Sequence, residues 1–457
     1  MTKFIDAIVE HGLTVRFEDM PPQAVLAVKT FLLDTIGVGI AGANAPLAKT
    51  IRDSASRWAD GGRSNVWGRH SVKTSAANAA FINGFQIHCQ EYDCVHEPAV
   101  VHPLATILSA LMAEIDSQFK SVDGKELAVA MAVAVDFAAG IGVSVSSPLK
   151  FFRPANAGIF GATLGISRLR GFDAEKTKNA LGYALAFCSG TMQSHVEGKP
   201  ALPVQIGNGA RGAVMACDLA ELGMEGPHDS LEGPYGYFAL FEDEYDLEPV
   251  IQSLGKVWRI AEVSHKPFPT GRAAQGGIVL VQMLKVQGVT IDNLETLTLR
   301  APPIIERLVG RPLVEDMTSN YARLCFQYSG AVALMTGNVT LEDFTDTSLQ
   351  DEKIHALGQR IVVENDGHPS PSAFAPQTAI AVLKDGKTVE ASIDALFGSP
   401  ASPMSREEHI AKFRSCCAFG WGQNNTQTED TLIKLTDNLE TLDDCAHLSR
   451  LATGQET

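Results

Sequence analysis

The chain has 457 residues, with 37 Lys and Arg against 53 Asp and Glu, a formal net charge of −16, and 45% hydrophobic but only 20% charged residues. A single core stops growing at roughly 250–300 residues, so more than one compact unit is expected. The acidic balance argues against a nucleic-acid partner, which would need a basic face, and the apolar, charge-poor composition excludes a disordered chain.

The first residues, MTKFIDAIVEHGLTVRFED, place acids and a histidine inside the apolar stretch and so lack the uninterrupted core of a signal peptide. No stretch of about 18 uncharged apolar residues appears, so no membrane span is expected. The eight cysteines (89, 94, 188, 217, 325, 416, 417 and 445) form no CxxC pair. They read as reduced core thiols, and the expected location is cytoplasmic. Val25, Val28, Phe31, Leu32 and Ile36 recur at spacings of three and four, which predicts a helix. The same period continues over 75–92, 103–119, 125–145, 174–192 and 208–224, in text rich in Ala and Gly. At HKPFPTGR (265–272) the texture changes. NLETLTLR (293–300) and RIVVEND (360–366) read as strands, and 377–393 reads as a hairpin turning at Asp385-Gly386. Ser405 is placed to cap a final helical stretch. The expected fold class is therefore mainly α. A helical domain over 1–265 is completed by 401–457, with a smaller α+β domain inserted over 266–400.

Gly37, Gly39 and Gly42 match GxGxxG formally, but they follow a helical period that includes Lys29 and Asp34. They end or loosen a helix and do not mark a dinucleotide site. The densest polar cluster is His88, Glu91, Asp93, His96, Glu97 and His102, between two apolar helices. Carboxylates beside imidazoles suit acid–base chemistry because each tunes the other's pKa. The bland alternative is a polar loop with a capping histidine. A metal site is a third reading, although the His spacings fit no zinc signature and HExxH is absent. Three basic islands follow: Lys150 with Arg153, then His195, Glu197 and Lys199, then His265, Lys266 and Arg272. Such islands bind carboxylates or phosphates when concave. No Walker loop and no GxSxG elbow is present.

The ordered run of DTIGVGIAG, AAFINGFQIHCQEYDCVH with a downstream HP, FGA, LEGPYGYF, KPFPTGR, ARLCFQYSGAVAL with FTD behind it, and GSPASPMSREEHIAKF resembles the MmgE/PrpD family over nearly the whole chain. The resemblance implies a large helical domain, an inserted α+β lid, a homodimer, and a site between the domains without metal or organic cofactor. It implies cofactor-independent chemistry on a small di- or tricarboxylic acid, as in 2-methylcitrate dehydratase, cis-aconitate decarboxylase or iminodisuccinate epimerase. Carried over residue by residue, it assigns Glu91, Asp93, His102, Lys266 and Tyr328 to catalysis. His96, Arg153, Lys199 and Arg272 fall to substrate binding. Two departures alter the pattern. Phe152 and Arg153 stand where the family has an aromatic-His-Pro motif, and Leu202 stands where it has a lysine, with Lys199 nearby. Gln275 also replaces a frequent histidine.

The expected reaction starts by removing a proton next to a carboxylate, with His102 as base or acid oriented by Glu91 or Asp93. Lys266, Arg272 and Arg153 would hold carboxylate, and Tyr328 would donate a proton. Loss of hydroxide makes the enzyme a dehydratase, the first expectation. Loss of CO2 makes a decarboxylase, and proton return on the opposite face an epimerase. A non-catalytic polycarboxylate binder and a metal hydrolase are the rivals from other classes.

Overall fold

The computed structural model describes residues 3–454 apart from Asp60, Phe119, Pro371 and Ser372. The Pro22–Gly42 helix is the first long element, and Gly37, Gly39 and Gly42 all lie within it. They do not loosen the helix; they let neighbours approach it. A Cβ at Gly37 would meet Phe413 at 2.8 Å, one at Gly39 would meet Trp67 at 2.5 Å, and one at Gly42 would meet the Gln86 carbonyl oxygen at 1.9 Å. The GxGxxG spacing thus records helix packing in a bundle.

Helices Ala76–His88, Pro103–Ser117, Gly124–Val143, Arg153–Leu169 and Ala201–Glu221 pack around one another. The helix expected over 103–119 ends at Ser117, and Phe119 lies outside the described residues. Small residues permit close crossings here too, since a Cβ at Gly161 would meet the Ala134 carbonyl oxygen at 2.3 Å. Pro22–Gly42 and Gly124–Val143 are long and apolar enough to cross a membrane, contrary to the reading of the sequence. However, 78% and 89% of those stretches are buried inside the protein. A helix hydrophobic on all sides is what the centre of a large bundle requires. One short element was not anticipated, a two-residue antiparallel pair of Ser64–Asn65 with Lys73–Thr74.

The strands appear where expected. Leu294–Ala301 lies between Ile361–Asn365, to which it is parallel, and Gln377–Leu383, to which it is antiparallel; Thr388–Ile393 completes the sheet. Gly386 takes a left-handed φ of +87° at the hairpin turn. Leu297 and Leu299 face inward while Arg300 is exposed, the period-two pattern of a sheet with one covered face. Arg272–Val286 and Phe326–Thr336 pack against each other and against this sheet. Ser405 caps Arg406–Trp421, accepting from the Glu408 amide at 3.2 Å, while the Glu408 carboxylate accepts from the Ser405 amide at 2.8 Å. That helix returns to lie along Pro22–Gly42.

Buried hydrophobic residues form two main clusters. The larger runs from Phe4 to Val263, adds Leu341, and resumes at Phe413 to Ala452; the smaller runs from Phe268 to Ala391. The chain passes between them at Ser264–Lys266 and again near Gly398, and the two passes are joined by the His265 amide donating to the Gly398 carbonyl at 2.8 Å. Ser264 also pairs with Val95 through two backbone hydrogen bonds of 2.8 and 3.0 Å, which fastens the acidic loop to this seam. At Gly42 the contact is with backbone, which cannot give way as the end of a flexible side chain can. Gly42→Ala is expected to lower stability by about 2–4 kcal/mol, seen as a lower Tm.

Candidate active site

The Ala76–His88 helix is capped at its start by Ser75, whose hydroxyl accepts from the Asn78 amide at 3.3 Å, and delivers His88 at its last turn. The chain then reverses at Glu91, which holds a left-handed φ of +50°. Residues 96–101 close a small loop through paired His96–Val101 backbone bonds, with Val100 also left-handed at φ +52°. A β-branched residue there is a strained backbone, held by the packing around it. His102 ends the loop immediately before Pro103 opens the next helix. The sequence 88–102 thereby folds three imidazoles and three carboxylates into one turn of chain.

Asp93 lies at the centre. Its Oδ2 is 3.0 Å from His88 Nδ1 and 3.2 Å from His102 Nδ1, and the two rings stand edge to face at 4.8 Å. His102 Nδ1 is also 3.1 Å from the Cys94 carbonyl oxygen. Flanked by two acceptors, Nδ1 carries the proton, so a neutral His102 presents its Nε2 lone pair outward. Across the seam, the Lys266 ammonium donates to Glu91 Oε2 at 2.8 Å and lies 3.7 Å from Asp93 Oδ1, with none of its side chain exposed. His88 Nε2 is 3.7 Å from Glu91 Oε1.

These charges set the protonation states. Burial would raise the Glu91 carboxyl, but Lys266, His88 and His102 hold it down to about 2. Burial likewise opposes ionisation of Asp93, yet the two imidazoles and Lys266 keep it well below the usual carboxylate range. Burial acts on both histidines and is the largest influence on each. At His102 it prevails over Asp93 and depresses the pKa. At His88 the combined pull of Asp93 and Glu91 overcomes it and raises the pKa. Two neighbouring histidines are thus pushed in opposite directions, one towards the neutral form and one towards the cation.

A cavity of about 80 Å³ opens on this pair, lined by His88, Glu91, His102, His195 and Arg272 among apolar side chains. Arg272 donates from Nε to Glu97 at 2.8 Å and from Nη1 to the Phe397 carbonyl at 2.8 Å, leaving the buried Nη2 without a protein partner. A wider chamber of about 500 Å³ adjoins it and shares Leu149, Met192, His195 and Leu308. The largest hollow, about 760 Å³ around Glu114 and Arg168, lies away from the imidazoles and carries no such chemistry.

Five of the residues singled out in the sequence have partners or positions other than those expected. Arg153 is forked onto Glu242 at 3.0 and 3.1 Å and gives its remaining arm to the Ala99 carbonyl, so its charge is consumed away from the cavity. Tyr328 is buried and donates to the Asp343 carbonyl at 2.6 Å, which leaves no proton for substrate. Lys199 is exposed and does not line the cavity, and His96 is engaged by Glu262 at 2.9 Å. Lys266 also differs from its expected role, because it neutralises Glu91 and Asp93 instead of facing the cavity. His88, part of the polar cluster read from the sequence but given no role by the family resemblance, joins the site through Asp93.

Among the described residues, two groups bring ligand-type atoms within 4.8 Å of one another: His88, Asp93 and His102, and separately Asp34, His265 and His409. In the first, the atoms already bond one another beside the Lys266 ammonium. In the second, Lys412 donates its charge to Asp34 at 2.8 Å. An ammonium at each carboxylate opposes a divalent cation there, so both donor sets suit proton chemistry better than metal.

The MmgE/PrpD N-terminal domain profile matches residues 6–250, and the MmgE/PrpD C-terminal domain profile matches 268–438. The chain is 26% identical over 460 residues to cis-aconitate decarboxylase of Mus musculus, covering 97% of this chain and 92% of that protein. Its identity to the Homo sapiens enzyme of the same name is also 26%, over 97% and 93%. A segment covering 27% of the chain is 28% identical to the mitochondrial 2-methylcitrate dehydratase of Yarrowia lipolytica, where it covers 25% of that protein. With both domain profiles matched in order across most of its length, the chain belongs to the MmgE/PrpD family.

Proposed function

We propose that the protein is a lyase of the dehydratase type, acting on a small di- or tricarboxylic acid by removal of a proton next to a carboxylate. The observation that carries this reading is the His88–Asp93–His102 arrangement, in which one carboxylate orients two histidines of opposite protonation tendency. His102 Nε2 takes the α-proton. Arg272 Nη2 receives the substrate carboxylate and offsets the negative charge that develops on it. The His88 imidazolium donates its proton to the departing hydroxyl, so a C–H and a C–O bond break, a C=C bond forms, and water leaves. Proton loss from His102 and uptake by His88 restore the starting state. No step calls for a metal or an organic cofactor.

Decarboxylation is the second reading, favoured by the full-length similarity to enzymes named cis-aconitate decarboxylase against the short matches to dehydratases. There His88 would protonate the carbanion left by CO2. Epimerisation needs the same two groups acting on opposite faces. Segment 266–400 is proposed as a lid domain between helical parts 1–265 and 401–457, a reading supported by the separate hydrophobic cluster over 268–391. A homodimer is proposed on family resemblance. A reducing compartment, the cytoplasm, is supported by eight free cysteines; the Yarrowia relative is a mitochondrial protein. The charge of −16 supports a small-molecule partner over nucleic acid.

Incubation in D2O with citrate, 2-methylcitrate and smaller hydroxy acids separates the reactions. Alkene formation supports elimination, CO2 release supports decarboxylation, and deuterium at the α-carbon alone supports epimerisation. Binding with none of these three would leave only the non-catalytic binder. His102→Ala is expected to lower kcat/KM by about 10²–10⁴, and a loss under twofold would remove His102 as base. The rate should follow a bell with one limb below and one above the ordinary histidine value. Its acid limb reports protonation of His102, whose pKa is depressed, and its alkaline limb deprotonation of His88, whose pKa is raised. His88→Gln should remove the alkaline limb. Lys266→Met leaves two buried carboxylates without their cation and is expected to cost roughly 3–5 kcal/mol in urea unfolding. The depressed Glu91 carboxyl stabilises the fold above its ordinary 4.5, and this contribution is lost as pH falls towards 2; the variant should lose that acid dependence.

A further inference from the structure

The cavity beside the imidazoles measures about 80 Å³. Among its described lining residues, Arg272 is the sole arginine or lysine, and Leu149, Phe152, Met192, Leu202, Leu308 and Phe374 make most of the remaining wall. Leu202 is nearly fully buried, so a carboxylate placed against it would lose its water and gain no partner. The adjoining chamber, which shares Leu149, Met192 and Leu308, is lined on its far side by Arg307 and Arg311 together with Glu306. Arg307 and Glu306 are exposed. Arg311 is held differently: Nη2 donates to the His195 carbonyl at 3.1 Å, and the guanidinium lies 4.9 Å from the Tyr321 ring. Its Nε and Nη1 are buried without a protein partner. A guanidinium fixed in this way, with N–H groups still unpaired, is suited to accept a carboxylate through a charge-assisted hydrogen bond.

We infer that Arg311 is a specificity residue for a second, distal carboxylate. The preferred substrate is then a dicarboxylate whose two carboxylates are separated by apolar carbons, and a citrate-like tricarboxylate is excluded at Leu202. The reacting carboxylate sits on Arg272, the apolar segment against Leu149, Met192 and Leu308, and the distal carboxylate on Arg311. This inference rests on the proposed lyase reading for the identity of the reacting end, but its binding geometry is testable without turnover.

Calorimetry with glutarate, adipate, pimelate and hexanoate, which have no hydroxyl to lose, and with citrate provides that test. The unaltered protein should bind the best diacid about 10–100-fold more tightly than hexanoate, the gain of a charge-assisted pair, and bind citrate more weakly than that diacid. Arg311→Gln should erase the difference between diacid and hexanoate while leaving hexanoate affinity unchanged, and Arg311→Lys should retain part of it. Leu202→Lys should gain citrate affinity. Equal weakening of hexanoate and diacid by Arg311→Gln, or citrate binding as tight as that of the best diacid in the unaltered protein, overturns the inference. Turnover is read separately with 3-hydroxyadipate and 3-hydroxyhexanoate in D2O. If diacid binding depends on Arg311 but neither compound yields alkene or deuterium exchange, the lyase reading fails and the receptor stands. If citrate reacts and 3-hydroxyadipate does not, the lyase reading stands and the receptor assignment fails.

Discussion

The site depends on one buried cation. Lys266, from the seam between the two hydrophobic clusters, places its ammonium between Glu91 and Asp93, and without it two carboxylates would be enclosed beside each other with only imidazoles for company. Burying an ion is costly unless its partners and hydrogen bonds are in place, so this contact links the architecture to the chemistry. The ammonium keeps both carboxylates ionised; Asp93 lies within reach of both rings; and the different surroundings of those rings push one towards the neutral form and the other towards the cation. The backbone serves the same end. Ser264 is paired to Val95, which brings the lysine to the acidic loop, and Glu91 turns the chain through a left-handed conformation to meet it.

Much of this was legible in the sequence. Helical periods are robust where an entire element is buried, and strands with β-branched residues and a DG turn announce themselves. The 88–102 loop stood out because charge is scarce in this chain, so a dense polar cluster between apolar helices had few trivial explanations. The glycine motif was properly set aside, although the reason for its spacing, close contacts with Phe413, Trp67 and Gln86, involves residues up to nearly 380 positions away.

What could not be read was how each charge is spent. Arg153 and Glu242 are 89 positions apart, and the Tyr328 hydroxyl donates its hydrogen bond to a backbone carbonyl, so neither engagement shows in the order of residues. The converse holds for Arg311, an unremarkable arginine before a proline, distinguished only by the two nitrogens that folding leaves without a partner. His88 occupies a middle ground: it was visible in the cluster, but its role depends on sharing Asp93 with His102, a relation set in three dimensions.

The provenance of the cavity walls has a consequence for how such a site can diversify. His88, Glu91 and His102 come from one short stretch anchored in the larger cluster, whereas Leu308, Val309, Leu324 and Phe374 are supplied from beyond the seam. The proposed proton-transfer groups therefore lie in one short stretch, whereas the walls that recognise shape are drawn from both sides of the seam. Replacements beyond the seam can change which acid fits while the distances around Asp93 stay as they are, so new substrates can be reached without rebuilding the machinery that moves the proton.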